Sequence, residues 1–183
     1  RRSERVVYAV GPGDRADESY RRAYLDGVQC ALARGPRERF VFVSSTAVYG
    51  AVREVDAETP LPEQTSKERH LIAGEQLVLA QGGVVLRFSG IYGPGRDRLV
   101  RMVASGEARL PRVSRMTNRI HRDDCAGAIA HLLTLVDPAP VYLGVDHEPA
   151  DLGDVLTWIA ARLGRPPPPA REEGEGEPRA RPE

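Results

Sequence analysis

Ser44, Ser45 and Thr46 place three hydroxyls in a row, directly after the apolar run Phe40-Val41-Phe42-Val43. A run that short and that apolar predicts a strand buried on both faces, as in a parallel sheet. Ligands bind just past the carboxyl ends of such strands. The three hydroxyls therefore fall where a cofactor or substrate would lie, and a hydroxyl there can hold a reacting oxygen by hydrogen bond. Lys67 is the one lysine among 26 basic residues. Cys30 and Cys125 are isolated, and they, His70 and His147 show no ligand spacing, so no metal is expected.

The elements that must position these groups alternate. Arg5–Val10 predicts a short strand. Glu18–Arg34 predicts a helix, with Tyr20, Tyr24, Gly27, Val28, Ala31 and Leu32 on one spacing, ended by Gly35-Pro36. Arg39–Ser44 is the second strand, and Val52–Pro62 a polar, proline-bounded loop. Thr65–Ala80 predicts a helix opened by a Thr65/Glu68 capping box, with Leu71, Ile72, Val78 and Leu79 sharing a face. Val84–Phe88 is the third strand and Val141–Val145 the fourth. Arg96–Ala104, Asp123–Val136 and Asp151–Leu163 read as helices, and 106–118 as irregular. Strands alternating with helices of this length imply a parallel sheet covered on both faces, an α/β fold.

Composition narrows the function. The chain has 183 residues, enough for one domain with a sizeable core, and a formal net charge of zero. Neither nucleic acid nor an anionic membrane is implied as partner. No apolar run is long enough to span a bilayer, no signal peptide opens the chain, and two isolated cysteines suit a reducing cytoplasm. Residues 166–183 are Pro, Glu, Gly and Arg with almost no apolar residue, so a domain over 1–165 and a flexible tail are expected. The Pro166–Pro169 run has the composition of a partner-binding segment.

Several segments together resemble the extended short-chain dehydrogenase/reductase family, the NAD(P)-dependent epimerases and dehydratases. Ser44-Ser45-Thr46-Ala47-Val48-Tyr49-Gly50 is similar to the family's catalytic strand. Leu86-Arg87-Phe88-Ser89-Gly90-Ile91-Tyr92-Gly93-Pro94-Gly95 is similar to the segment that lines its nicotinamide pocket. Ile120-His121-Arg122-Asp123-Asp124-Cys125-Ala126 is similar to its Ile-His-Val-Asp-Asp-x-Ala segment, and Tyr24–Val28 to its Asn-Val-x-Gly-Thr helix. The resemblance covers roughly residues 5 to 160. It implies a Rossmann-like doubly wound parallel sheet with a small C-terminal subdomain. It also implies NAD or NADP as cofactor, a small-molecule substrate and a homodimer that pairs the helices Glu18–Arg34 and Thr65–Ala80, whose apolar residues include Tyr24, Leu25, Leu71 and Leu77. Its site residues would be Ser45, Thr46 and Lys67 for catalysis, and Ala9, Val10, Ser44, Ser45, Ser89, Gly90 and Ile91 for the cofactor. Arg96 and Arg119 would face the substrate.

The departures from the family are chemical. Its general acid/base is a Tyr in a Tyr-x-x-x-Lys motif, where the lysine lowers the tyrosine pKa and holds the nicotinamide ribose. Matching Glu75-Gln76 to the family's Glu-Gln puts Lys67 at the Tyr position and Leu71 at the Lys position, and no Tyr lies between Gly50 and Arg87. Lys67 could act as a base only if buried, where its charged form is disfavoured. Near a helix start it reads as a solvated surface lysine. The arginine that often precedes the Ile-His pair by three residues in nucleotide-sugar members is Thr117 here. The pattern is closer to an atypical branch that includes the bacterial YeeZ-type proteins.

The family opens with a strand, a glycine-rich turn and a helix that holds the pyrophosphate. The chain begins Arg-Arg, and nothing of the kind precedes Arg5, so about sixty residues are expected upstream, the size of two βαβ units. Gly11-Pro12-Gly13-Asp14-Arg15-Ala16 offers a competing fingerprint, although Asp14, Asp17 and Glu18 would repel a phosphate. His121 reads as structural, and Asp123 and Asp124 as helix-start acids. Two functions remain open, an enzyme moving hydride with Ser45 holding the oxygen, and a dinucleotide-binding sensor or scaffold with little turnover. The 183-residue chain alone is expected to bind dinucleotide poorly; tight binding measured by cofactor fluorescence would favour the Gly11–Ala16 fingerprint.

Overall fold

The four expected strands form one parallel sheet in the order β1 (Arg5–Tyr8), β2 (Arg39–Ser45), β3 (Val84–Phe88) and β7 (Val141–Gly144). The computed structural model describes residues 5–35, 38–50, 52, 54–62 and 65–172. The chain divides into two compact units, Arg1–Ser89 with Asp124–Gly144, and Gly90–Asp123 with Val145–Glu183.

In the first unit, every residue of β3 is buried, which requires cover on both faces. Phe40, Phe42 and Val85 point to one face and pack with Val28, Leu32, Leu71 and Val78 from the helices. The register sets Val43 beside Leu86 and Ser45 beside Phe88, so the β2 hydroxyls end level with the end of β3.

The helix expected over Glu18–Arg34 is interrupted. α1 (Asp17–Arg21) and α2 (Gly27–Leu32) are joined by a π turn, Arg22–Asp26. The cause is Tyr8, whose hydroxyl donates to the Ala23 carbonyl at 2.6 Å. The Gly27 amide then bonds to Arg22, one residue further back than in an α-helix. Gly27 is required there, because a Cβ would lie 2.0 Å from the Tyr8 hydroxyl. α3 (Ser66–Leu79) starts with the expected capping box, the Thr65 amide donating to the Glu68 carboxylate at 2.9 Å. It packs on the α1–α2 segment at Gly74, where a Cβ would lie 2.2 Å from the Tyr24 carbonyl oxygen.

The second unit holds elements that the sequence did not announce. β4 (Gly90–Tyr92) pairs in parallel with β6 (Arg119–His121), and β5 (Met116–Thr117) pairs antiparallel with β8 (Ala150–Asp151). Strands of two or three residues are too short to show a period. α4 (Arg98–Ala104) and α6 (Leu152–Arg162) bury Val103, Leu156, Ile159 and Ala160 together with Ala108. α5 (Arg122–Thr134), which belongs to the first unit from Asp124 on, begins one residue before the expected start. Asp151 is a hub, accepting from the Gly153 amide at 2.7 Å, the Arg115 amide at 2.6 Å and the Ser114 hydroxyl at 2.8 Å.

The chain does not leave this unit at Pro166. The Leu110 amide donates to Pro169 at 3.0 Å, the Arg171 amide donates back to Leu110 at 3.2 Å, and Pro168 is buried. Backbone pairing holds this stretch without the apolar side chains that the sequence lacks. Residues 173–183 of the expected tail lie outside the described residues.

Gly74→Ala should destabilise the first unit by about 1–3 kcal/mol, since the clash is with backbone that cannot rotate away; urea unfolding measures it, and an unchanged midpoint would show that the helices separate freely. The Ser114 hydroxyl, then the Arg115 and Gly153 amides, hold the Asp151 carboxyl below its usual range. A depressed folded-state pKa contributes stability above the unfolded pKa of about 4, lost as pH falls through the folded value. Asp151→Asn should therefore be less stable than wild type above about pH 4, with the deficit shrinking as pH falls below it; urea midpoints read by Trp158 fluorescence across that range measure it, and a deficit that does not change with pH would count against this role.

Candidate functional site

Ser45 is the last residue of β2 and the cap of a 3₁₀ turn, Thr46–Tyr49. Its hydroxyl accepts the Ala47 amide at 3.2 Å. A hydroxyl has one hydrogen to give, and this contact leaves it free to donate to an incoming oxygen. Ser45 and Thr46 are half-buried at the sheet's carboxyl edge, within reach of solvent. Ser44 faces the other way. It is buried, and its hydroxyl donates to Glu75 of α3 at 2.5 Å. Ser89, just past β3, is also buried; its amide donates to Gly144 at 3.0 Å, and its hydroxyl meets no partner among the described residues.

Beneath these serines lies a polar network that the sequence reading missed. Arg87 of β3 is 5 % exposed and Glu75 2 %. The guanidinium grips the carboxylate with two bonds, Nε to Oε1 at 3.0 Å and Nη2 to Oε2 at 2.6 Å. Its third nitrogen, Nη1, donates to the Tyr49 hydroxyl at 2.6 Å, and Tyr49 in turn donates to the Asp56 carbonyl at 2.6 Å. Burial disfavours the guanidinium charge, but the Glu75 carboxylate and the Tyr49 hydroxyl outweigh it and hold Arg87 above its usual pKa. The available signal was an arginine inside a five-residue apolar strand and a glutamate on a helix face otherwise given to Leu71 and Val78. A charge in such a place needs a partner.

Lys67 stands in the first turn of α3, half-buried, with its ammonium 5.3 Å from the centre of the Tyr20 ring. Neighbouring His70 meets the Asp17 carboxylate at 3.1 Å. Leu71, at the position of the family's lysine, is 4 % exposed and belongs to the core. It was expected to help form a dimer surface, a reading its burial corrects. Tyr24 packs edge-on against Phe42, while Leu25 and Leu77 are half-buried.

Ala9 and Val10 follow β1 and are exposed. A shallow recess of about 280 Å³ opens there, lined by Val10, Gly11, Pro12, Gly13 and Arg22 among others. The competing glycine fingerprint fails on chemistry. Asp14 itself accepts the Ala16 amide at 2.8 Å, and Asp17 and Glu18 follow in the first turn. The chain's own carboxylate takes the place an anion would need.

The remaining candidates belong to the second unit. Gly90 and Ile91 lie in β4, both half-buried. Arg96 is exposed after a tight turn in which its amide bonds Gly93. Arg119, in β6, donates to the Thr117 hydroxyl at 2.6 Å. His121 accepts the Asp123 amide at 3.3 Å and stands edge-on to Tyr92, a structural setting. Among the described residues no group of three His, Cys, Asp or Glu side chains gathers as a metal site, and no helix is long and apolar enough to cross a membrane.

The fold has relatives among solved structures. A protein described as an NAD-dependent epimerase/dehydratase from Methylobacillus flagellatus is 36 % identical with a TM-score of 0.73; the alignment covers 96 % of this chain and 63 % of that one. A dTDP-glucose 4,6-dehydratase from Bacillus anthracis in complex with NAD is 20 % identical, TM-score 0.75, with 96 % and 62 % covered. RMD from Pseudomonas aeruginosa, complexed with NADPH, is also 20 % identical, TM-score 0.74, with 94 % and 72 % covered. The chain thus spans less than two thirds of the length of the first two. No curated protein sequence matches it. The model of the NAD dependent epimerase/dehydratase family matches residues 22–142, from the π turn to the start of β7 and with the Ser45 strand end inside it. On that match, and on a parallel sheet that ends in the Ser44-Ser45-Thr46 hydroxyls, the chain belongs to the NAD-dependent epimerase/dehydratase family.

Proposed function

We propose that this chain serves NAD(P)-dependent oxidoreductase or epimerase-like chemistry on a small carbonyl or hydroxyl compound. The observation that carries the reading is the Ser45 hydroxyl, which accepts the Ala47 amide and keeps its hydrogen to donate at the carboxyl end of β2. In this reading Ser45 donates to the reacting oxygen, Thr46 flanks it, and a water or Lys67 moves the proton that a tyrosine moves elsewhere in the family. The nicotinamide, when bound, supplies the hydride acceptor or donor. Ala9, Val10, Ser44, Ser45, Ser89, Gly90 and Ile91 are the candidates to hold it. For Ser44 and Ser89 this means the backbone, since one hydroxyl is committed to Glu75 and the other is sealed from solvent. NAD or NADP is left open, as the strand that reads the adenosine ribose is not among those described.

Arg96 and Arg119 are the proposed substrate-side cations. Residues 96–122 carry eight arginines against two acids, Asp97 and Glu107, which favours a substrate with negative charge. The atypical YeeZ-like branch, a cytoplasmic setting suited to the two isolated thiols of Cys30 and Cys125, and a homodimer through the helices that carry Tyr24, Leu25 and Leu77 complete the proposal. A monomeric mass by light scattering at micromolar concentration would count against the dimer.

A second reading is a dinucleotide-binding sensor or scaffold with little turnover. It is favoured by Leu71 in the core where the ribose-holding lysine would stand, and by Lys67 over the Tyr20 ring.

Titration of the full-length protein with NADH and NADPH, followed by cofactor fluorescence, should show saturable binding of at least one; no binding of either sinks both readings. Ser45→Ala should lower turnover by about 10²–10³ while cofactor affinity changes little, since it removes a donor used in the transition state. Lys67→Ala should leave the rate nearly intact. A large loss, with disappearance of one limb of the pH–rate profile, would show that Lys67 carries the proton.

A further inference from the structure

Among the described residues one bond orients the Ser45 hydroxyl, and at 3.2 Å from the Ala47 amide it stands at the long end of the usual range. Its direction must be fixed by what holds the turn on either side. The residue before it, Ser44, is tied to Glu75 Oε1, the oxygen that Arg87 Nε also binds. The last residue of the turn, Tyr49, is tied to Arg87 Nη1, and its ring lies under the guanidinium at 5.0 Å from centroid to carbon. Both flanks of Ser45 therefore end on one buried ion pair, held from β3 and α3.

Packing alone does not explain this pair. Apolar residues of similar volume could join a helix to a strand without the cost of burying two charges. What the charges add is direction. The two-bond grip fixes the guanidinium plane, and the third nitrogen then points at one place, the Tyr49 hydroxyl. We propose that Arg87, acting through Glu75 and Tyr49, is a positioning residue for the Ser45 hydroxyl; this rests on the reading that Ser45 orients a reacting oxygen. Tyr49 extends the same hold to the polar loop through the Asp56 carbonyl, where Asp56 and Thr59 bond each other.

Tyr49→Phe is the decisive variant, because the ring stays in the core and the Arg87–Glu75 grip is kept while both bonds of its hydroxyl, from Arg87 and to the Asp56 carbonyl, are lost. Amide hydrogen exchange in the full chain, read residue by residue by NMR, reports the turn itself. Exchange at Ala47 should quicken about tenfold or more in Tyr49→Phe, and likewise in Ser45→Ala, with Val41–Val43 of β2 unchanged. A uniform change across β2 and the turn, or an Ala47 rate equal to wild type, would overturn the proposal and leave Tyr49 a packing residue. Glu75→Gln, if it folds, should also quicken Ala47; if it does not fold, Tyr49→Phe decides alone. Turnover separates the two ideas. If Ser45→Ala leaves turnover intact the functional reading fails, whereas unchanged Ala47 exchange in Tyr49→Phe defeats the positioning proposal whatever the turnover. In cofactor-dependent assays Tyr49→Phe should lower kcat with little change in KM for the dinucleotide.

Discussion

The Arg87–Glu75 pair is the constraint around which the first unit is built. Both side chains are nearly sealed, 6 % and 2 % exposed, so neither charge is stabilised by water. Removing one partner of such a pair costs about 3–5 kcal/mol, because the other charge is left buried and alone. The pair can exist only if β3, α3 and the end of β2 meet in one register. Three bonds from the guanidinium and a serine hydroxyl on the carboxylate satisfy what the burial exposes. The order of those elements around the candidate site follows from that demand.

The helical layer shows the same logic in neutral groups. Tyr8 on the edge strand reaches a backbone carbonyl and forces one extra residue into the turn above it. Gly27 and Gly74 then let Tyr8 and Tyr24 approach backbone to within distances that no Cβ permits. These contacts bring the start of α3 against α1, so Lys67 meets Tyr20 and His70 meets Asp17. The helix that carries the acid/base in relatives carries here a lysine turned to an aromatic ring and a leucine turned to the core. The chemistry left at the strand end is that of hydroxyls.

The second unit is organised by one carboxylate. Asp151 ends β8, caps α6 and fixes the Ser114–Arg115 backbone, three tasks that only an ionised side chain with two acceptor oxygens can share. The arginine-rich segment between Arg96 and Arg122 is displayed on this frame, with short strands setting where its members stand.

The sequence by itself determined the large features. Four apolar runs read as strands, helices of the right length between them, a capping box at Thr65, and a hydroxyl-rich strand end pointed to a parallel α/β sheet and a family. Those signals are local, set by periodicity, side-chain volume and turn chemistry within a dozen residues. Tertiary structure decided the rest. The π turn depends on Tyr8, fifteen residues from the carbonyl it binds. The short strands of the second unit are made by pairing across as many as 35 residues and leave no periodic trace. The backbone pairing of Leu110 with Pro169 and Arg171 holds a stretch whose composition gave no sign of it. Glu75 and Arg87 are 12 residues apart, and each alone looks like an ordinary charge. Only the fold, by burying both beside Ser44 and Tyr49, turns them into the support of the candidate site, because the cost of burial exists only once water has been excluded.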